Sequence, residues 1–117
     1  LNSILKGNII TIMNVQDLTS NSEAAAALLL LLANPHRLQI LCTLLDGERS
    51  VSELGEVVGL SQSALSQHLA KLREAKIVAT RREAQSIYYT LADERAARVL
   101  EVLADIYCQP QPKQKKN

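Results

Sequence analysis

Two cysteines, Cys42 and Cys108, are the most reactive side chains in this sequence, and they stand far apart along it. Thiols can be oxidised, can form disulfides and can bind soft metals such as zinc. Two cysteines are too few for the disulfide framework of a small secreted protein. A cysteine in a cytoplasmic chain is more often a small buried hydrophobe than a reactive group. Position alone therefore leaves both a reactive and an inert interpretation open.

A second set of side chains has the chemistry to bind duplex DNA. Serine and glutamine can reach base edges in the major groove, and lysine and arginine can neutralise phosphates. Residues 61–90 contain five basic and two acidic residues, a net charge of +3, whereas residues 45–60 have a net charge of −3. The candidate DNA-binding residues are Gln62, Ser63, Ser66, Gln67, Lys71, Arg73, Arg81 and Arg82. A solvated polar helix face beside a charged hairpin is the plainer interpretation of the same pattern.

The strongest local pattern is a pair of short helices joined by a turn. Ser50 and Glu53 fit a capping box, Gly59 closes the first helix, and Ser61 caps the second. The residues that we expect to face the core are Leu54, Val57 and Val58 on the first helix and Leu65, Leu69 and Leu72 on the second. Two helices joined in this way form a helix-turn-helix.

Flanking segments extend this pair into a larger fold. A preceding helix begins at Asn34-Pro35 and ends at Asp46-Gly47, and its expected buried stripe is Leu38, Leu41, Cys42 and Leu45. Residues 77–82 and 87–91 are β-branched or aromatic runs that predict a β-hairpin, and Asp93 caps a last helix. The predicted fold is mainly α with a small β-hairpin: a winged helix-turn-helix with flanking dimerisation helices.

Two helices are too apolar to face water. Ser20 and Glu23 fit a capping box that opens a helix through residues 24–33. The last helix carries apolar side chains at Val99, Val102, Leu103 and Ile106. Because a DNA-binding module of this size usually binds a palindromic operator as a dimer, we predict a homodimer through the helices at 20–33 and 93–108. The alternative is that both helices only cover the core of their own protomer.

Composition and motifs exclude several classes of protein. The longest apolar run, residues 24–33, is too short to cross a bilayer, so we predict no membrane association. The sequence has no nucleophile elbow, phosphate loop or metal-ligand spacing, which predicts no enzyme activity, no cofactor and no metal site. The absence of an export signal predicts a cytoplasmic protein. We expect residues 1–16 to be a flexible extension, residues 17–108 the winged domain, and residues 109–117 a disordered basic tail.

Two stretches resemble the ArsR/SmtB family of bacterial winged-helix repressors. ANPHRLQIL (residues 33–41) resembles the start of the family's second helix, and LSQSALSQHL (residues 60–69) resembles its recognition helix. The similarity covers roughly residues 20–108. It implies a homodimeric repressor whose inducer, often a metal, lowers its affinity for the operator.

The departures from the family pattern bear on the inducer. Many metal sensors of the family have a Cys-x-Cys motif where this chain has Ser50 and Ser52. Another subgroup uses Asp and His ligands on the last helix, which has no histidine here. His36 and His68 lie elsewhere, and we interpret them as surface or packing residues. A metal-responsive repressor is therefore the alternative interpretation.

Cys42 and Cys108 resemble the family's dithiol branch, whose members respond to persulfides or related oxidants by joining two thiols. The resemblance implies that Cys42 and Cys108 are the redox-sensing residues and that their cross-link lowers operator affinity. We expect Cys108 to attack first and Cys42 to resolve the product. An alternative of another class is a winged-helix module that binds protein and not DNA. Some relatives in the family activate transcription by relieving silencing, so the net effect on transcription stays open.

Overall fold

Helices and one small sheet account for nearly all of the structure, a computed structural model that describes residues 15–108. In chain order the elements are α1 (Val15–Ser20), α2 (Ser22–Leu32), α3 (Pro35–Leu45), β1 (Arg49–Ser50), α4 (Val51–Val58), α5 (Gln62–Glu74), β2 (Val78–Glu83), β3 (Ser86–Leu91) and α6 (Glu94–Tyr107). The chain divides into two units, the first ending at Leu31 and the second beginning at Leu32. The predicted basic tail, and the predicted extension as far as residue 14, lie outside the described residues.

The predicted caps of α3 and α6 are present. Asn34 Oδ1 accepts hydrogen bonds from the backbone N–H groups of His36 and Arg37 at 2.9 and 3.1 Å, and Pro35 occupies the first turn. Asp93 Oδ1 accepts from the N–H of Arg95 at 2.8 Å in the same way. Both caps satisfy N–H groups that have no partner inside the helix.

The helix-turn-helix is confirmed as α4 and α5. The capping box is complete, since the Ser50 N–H donates to Glu53 Oε1 at 2.8 Å and the Glu53 N–H donates to Ser50 Oγ at 3.1 Å. Gly59 adopts a left-handed conformation with φ of 72°, which ends α4 and turns the chain towards α5. Ser61 Oγ accepts from the Ala64 N–H at 3.1 Å and caps α5.

The predicted hairpin is present, but the sheet has a third strand that we did not predict. Strands β2 and β3 pair antiparallel from Val78 opposite Leu91 to Glu83 opposite Ser86. Strand β1, only two residues long, pairs with the other edge of β3, so the strand order is β1-β3-β2. The hairpin of β2 and β3 is the wing of the winged helix-turn-helix.

The core lies in the second unit and is mainly aliphatic, and two predictions about it need correction. On α3 the buried residues are Ile40, Leu41 and Leu44, whereas Leu38, Cys42 and Leu45 are half-buried. Helix α3 packs against α4, α6 and β3, and these neighbours cover a face one position away from the predicted stripe. On α4, Leu54 and Val58 are buried but Val57 is 52 % exposed, because it lies to the side of the face that those two residues define. The predicted leucines of α5, Leu65, Leu69 and Leu72, are all buried.

A further correction, outside the core, concerns Ser20, which is not an N-cap. Helix α1 already begins at Val15, and Ser20 Oγ donates to the carbonyl of Gln16 at 2.8 Å within it. Helix α2 starts at Ser22, after a one-residue turn at Asn21.

Within residues 15–108 no single helix has the length and apolar character to cross a membrane. Helices α2 and α3 taken together match a membrane span by length and composition alone.

Candidate DNA-binding surface and dithiol site

Helix α5 presents its polar face to solvent because its leucine face is anchored in the core. Leu65, Leu69 and Leu72 are buried on one side of the helix. The predicted base-reading residues, Gln62, Ser63, Ser66 and Gln67, are all exposed. Gln62, Ser66 and Arg73 also line an open groove of about 570 Å³ whose other wall includes Ile87 and Tyr89 of the wing. The structure therefore brings α5 and the wing together along one surface.

Three of the predicted phosphate-binding cations have charges that face solvent. Lys71 and Arg73 lie in the last turn of α5, and Arg82 lies on β2. All three side chains are exposed, and none of them forms an ion pair within residues 15–108. Their positive charges are therefore available to a polyanion.

Arg81, the fourth predicted cation, is held by two carboxylates. Its Nε and Nη2 donate to the two oxygens of Glu48 at 2.7 and 2.8 Å, and its Nη1 donates to Glu83 Oε1 at 2.7 Å. The guanidinium carbon lies 4.6 Å from the centre of the Tyr88 ring. Hydrogen bonds to Glu48 and then to Glu83 raise the pKa of Arg81, and the hydrogen bond from Arg81 lowers the pKa of Glu48. Sequence reasoning missed Glu48, which precedes Arg81 by 33 residues.

The two thiols occupy unequal environments at the contact between α3 and α6. Cys42 is half-buried on α3, and Cys108 is exposed where α6 ends, its N–H donating to the Ala104 carbonyl at 2.7 Å. Cys42 and Ala104 line one shallow cavity of about 530 Å³. Burial raises the pKa of Cys42, and repulsion from Cys108 raises it further. Ala104 therefore connects the two cysteines, because it lines the cavity with Cys42 and accepts the N–H of Cys108. Neither cysteine forms a disulfide.

The two histidines lie together, away from the cysteines. Their ring centres are 5.8 Å apart, and Arg37 Nη1 is 3.4 Å from His68 Nδ1. Burial, followed by the charges of Arg37, His36 and Lys71, lowers the pKa of His68. In the part of the chain that the structure describes, no group of three His, Cys, Asp or Glu side chains could hold a metal ion.

Comparison with known proteins assigns the chain to a family. Residues 34–80, which contain α3, α4 and α5, match the model of the bacterial regulatory proteins of the arsR family. The transcriptional activator HlyU of Vibrio cholerae is 53 % identical over 97 residues, which cover 83 % of this chain and 90 % of HlyU. This chain belongs to the arsR family. The predicted family is therefore confirmed.

Two solved structures of relatives have the same fold. The transcriptional repressor BigR from Xylella fastidiosa superimposes with a TM-score of 0.78 at 41 % identity, covering 84 % of this chain and all of BigR. Reduced HlyU from Vibrio cholerae superimposes with a TM-score of 0.76 at 52 % identity, covering 80 % of this chain and 99 % of that chain. The chain is a winged helix-turn-helix transcriptional regulator that binds DNA. Its relatives are regulators and not enzymes, which confirms the prediction of a non-enzyme.

Proposed function

We propose that this arsR-family protein is a homodimeric regulator whose Cys42/Cys108 dithiol senses persulfides or related oxidants. Joining the two thiols lowers its affinity for a palindromic operator. The observation that carries the proposal is the placement of two free thiols at the contact between α3 and α6, where Ala104 lines a cavity together with Cys42 and accepts the N–H of Cys108. A sensor of this kind needs reduced thiols at rest, which the cytoplasm maintains, so we infer that the protein acts there.

The exposed polar face of α5 reads the operator. In this proposal α5 enters the major groove, where its serine and glutamine side chains contact base edges. The side chains assigned to bases are Gln62, Ser63, Ser66 and Gln67. Lys71, Arg73 and Arg82 neutralise phosphates on either side of the groove, since their charges have no carboxylate partner within residues 15–108.

Exposed apolar side chains on α2 and α6 support the dimer. On α2, Leu29 is 55 % exposed, and on α6, Val102 is 58 % exposed. Large apolar side chains that are exposed on two helices are characteristic of a protein–protein interface. We propose that both helices contribute to the twofold contact between protomers.

The unequal environments of the thiols set the order of the chemistry. Cys108 is the exposed thiol, and its thiolate attacks the sulfane sulfur of a persulfide, RSSH. The thiol RSH leaves, and Cys108 becomes a persulfide. The Cys42 thiolate then attacks the inner sulfur of that persulfide and expels HS⁻, which leaves a disulfide. If Cys42 has itself been converted to a persulfide, its outer sulfur makes the same attack, HS⁻ again leaves, and the bridge is a trisulfide.

The length of the bridge gives a basis for selectivity. A direct disulfide needs Cα atoms within about 7 Å, and each inserted sulfur adds roughly 2 Å of reach. Persulfides can supply the extra sulfur atom of the trisulfide, whereas hydrogen peroxide can form only the direct disulfide, so the trisulfide is the bridge that would distinguish the two. The bridge ties the end of α6 to α3, which directly precedes the helix-turn-helix, and so favours a different arrangement of the two DNA-binding units of the dimer.

Mass spectrometry of the protein treated with a persulfide donor tests this chemistry. After non-reducing digestion we expect one cross-linked pair of peptides, containing Cys42 and Cys108, with zero or one extra sulfur between them. C42S should accumulate a persulfide at Cys108 without a cross-link, and C108S should react much more slowly at Cys42. Treatment of the unaltered protein with a persulfide donor that yields no cross-link would rule the dithiol mechanism out.

A further inference from the structure

We propose that Arg81 positions the wing and is not a phosphate contact, and that Glu48 is the residue that holds it in place. This assignment replaces the DNA contact that the sequence suggested for Arg81. It rests on DNA binding by the winged helix-turn-helix and is independent of the thiol chemistry.

The contacts of Arg81 join three segments of the second unit. Glu48 lies in the loop between α3 and β1, Glu83 ends β2, and Tyr88 lies on β3. Each of the three guanidinium nitrogens donates to a carboxylate oxygen at 2.7–2.8 Å. Arg81 is also directly opposite Tyr88 in the β2–β3 register, and Tyr88 is opposite Ser50 of β1. One side chain therefore links the loop to both strands of the wing at a single level of the sheet.

The same contacts argue against a role in binding phosphate. A phosphate oxygen would have to displace a forked Glu48 carboxylate, which uses two donors of the guanidinium in the strongest geometry available to arginine. Arg82 differs from Arg81 in the face of the sheet that it occupies and in its lack of an ion pair among the described residues. It is the next residue along the strand, so its side chain points to the opposite face of the sheet, and it forms no ion pair within residues 15–108.

The wing needs such an anchor because its sheet is small. A two-stranded hairpin alone is marginally stable in water, and the third strand here is only two residues long. If the hairpin moved in the free protein, DNA binding would have to order it, and the free energy spent on that ordering would lower the affinity. Glu48 and Arg81 fix the wing in the free protein. Arg82, on the same strand, is then already in position to contact DNA.

Salt-dependent DNA binding by reduced protein separates positioning from phosphate contact. We would measure Kd for a duplex taken from upstream of the protein's own gene over a range of NaCl concentrations. For a positioning role we expect E48Q and R81Q each to weaken binding about threefold to tenfold, with the slope of log K against log salt unchanged. R82Q, the matched control on the same strand, should reduce the slope by about 0.9, which is the loss of one phosphate contact.

Two further variants sharpen the test. R81K keeps the charge but loses the forked geometry, so for a positioning role it should weaken binding as much as R81Q does. The double variant E48Q/R81Q should bind no more weakly than R81Q alone, because R81Q already removes the Glu48–Arg81 interaction. The slope is independent of the fraction of active protein, so partial misfolding of a variant does not obscure the result.

Three results would overturn the assignment. A slope that falls by about 0.9 in R81Q would make Arg81 a phosphate contact. Tighter binding and a steeper slope in E48Q would mean that Glu48 restrains a DNA-binding cation. Weaker binding in R81Q without a comparable loss in E48Q would mean that Glu48 does not hold Arg81 in place.

Discussion

At the scale of single residues, similar side chains occupy different local environments. Cys42 and Cys108 are both free thiols, but burial raises the pKa of Cys42, whereas Cys108 is exposed at the end of α6. Arg81 and Arg82 are neighbours in the chain, yet only Arg81 is held by carboxylates. In both pairs, the two residues are of the same type and differ only in their surroundings.

His68 gives a prediction about pH. Arginine can only donate hydrogen bonds, so the contact with Arg37 requires a neutral His68 whose Nδ1 accepts. Burial and the nearby positive charges lower the pKa of His68 in the folded protein. As pH falls through about 6.5, the unfolded chain therefore takes up a proton that the folded chain resists. The free energy of unfolding should decrease from there down to the folded-state pKa, and should stop changing through this group below that value.

The measurement is the urea midpoint of reduced protein at pH 7.5, 6.5 and 5.5, for the unaltered chain and for H68Q. We expect the midpoint of H68Q to depend less on pH than that of the unaltered protein. The carboxylates of Glu48 and Asp93 do not interfere, because their pKa values are lowered and they titrate below this range. An H68Q midpoint that changes with pH as much as the original would contradict the prediction.

The residues that sequence reasoning placed correctly depend on their near neighbours. The caps at Asn34, Ser50, Ser61 and Asp93 each bind backbone groups two or three residues away, so spacing alone predicted them. The Glu48–Arg81 pair spans 33 residues and exists only because the wing folds back beside the loop. Spacing along the chain carries no signal for such a contact.

At the scale of elements, helix α6 has two faces with different tasks. Ala96 and Leu100 are buried against the protomer's own core. Val102 and Ile106 are more than half exposed on the same helix. The first face holds α6 in place within the protomer, and in our proposal the second face meets the partner protomer.

A charge on the outer face of α6 should weaken the dimer. We predict that V102E raises the dimer dissociation constant on the order of 100-fold, because association would bury a carboxylate without a partner. V57E is the matched control, since Val57 on α4 is similarly exposed but lies outside the proposed interface. Sedimentation of reduced protein should show a monomer for V102E and a dimer for V57E. A dimer of unchanged stability in V102E would place the interface elsewhere.

Elements were predictable where they carry a repeating pattern of their own. The hairpin was predicted from two runs of β-branched or aromatic residues, and the leucine face of α5 from an apolar spacing that repeats along the helix. Strand β1 was missed because two residues have no periodicity, and it is a strand only through its pairing with β3. The buried face of α3 was misplaced by one position because neighbours on several sides determine which residues of that helix are covered.

At the scale of the whole molecule, one continuous segment links the thiols to the DNA-binding surface. Cys42 is on α3, and the loop that follows α3 contains Glu48, which binds Arg81 of the wing. The same helix packs against α4, the first helix of the helix-turn-helix. In our proposal, a bridge between α3 and α6 therefore acts on a helix that packs against the first helix of the helix-turn-helix and leads into the loop that holds the wing.

The decisive measurement is the affinity of the protein for DNA upstream of its own gene, obtained by fluorescence anisotropy. Three samples are compared: reduced protein, protein cross-linked by a persulfide donor, and cross-linked protein reduced again. We predict that the cross-link raises Kd at least about tenfold, that reduction restores it, and that C108S does not respond. If fully cross-linked protein binds the duplex with the Kd of the reduced form, the thiols do not control DNA binding.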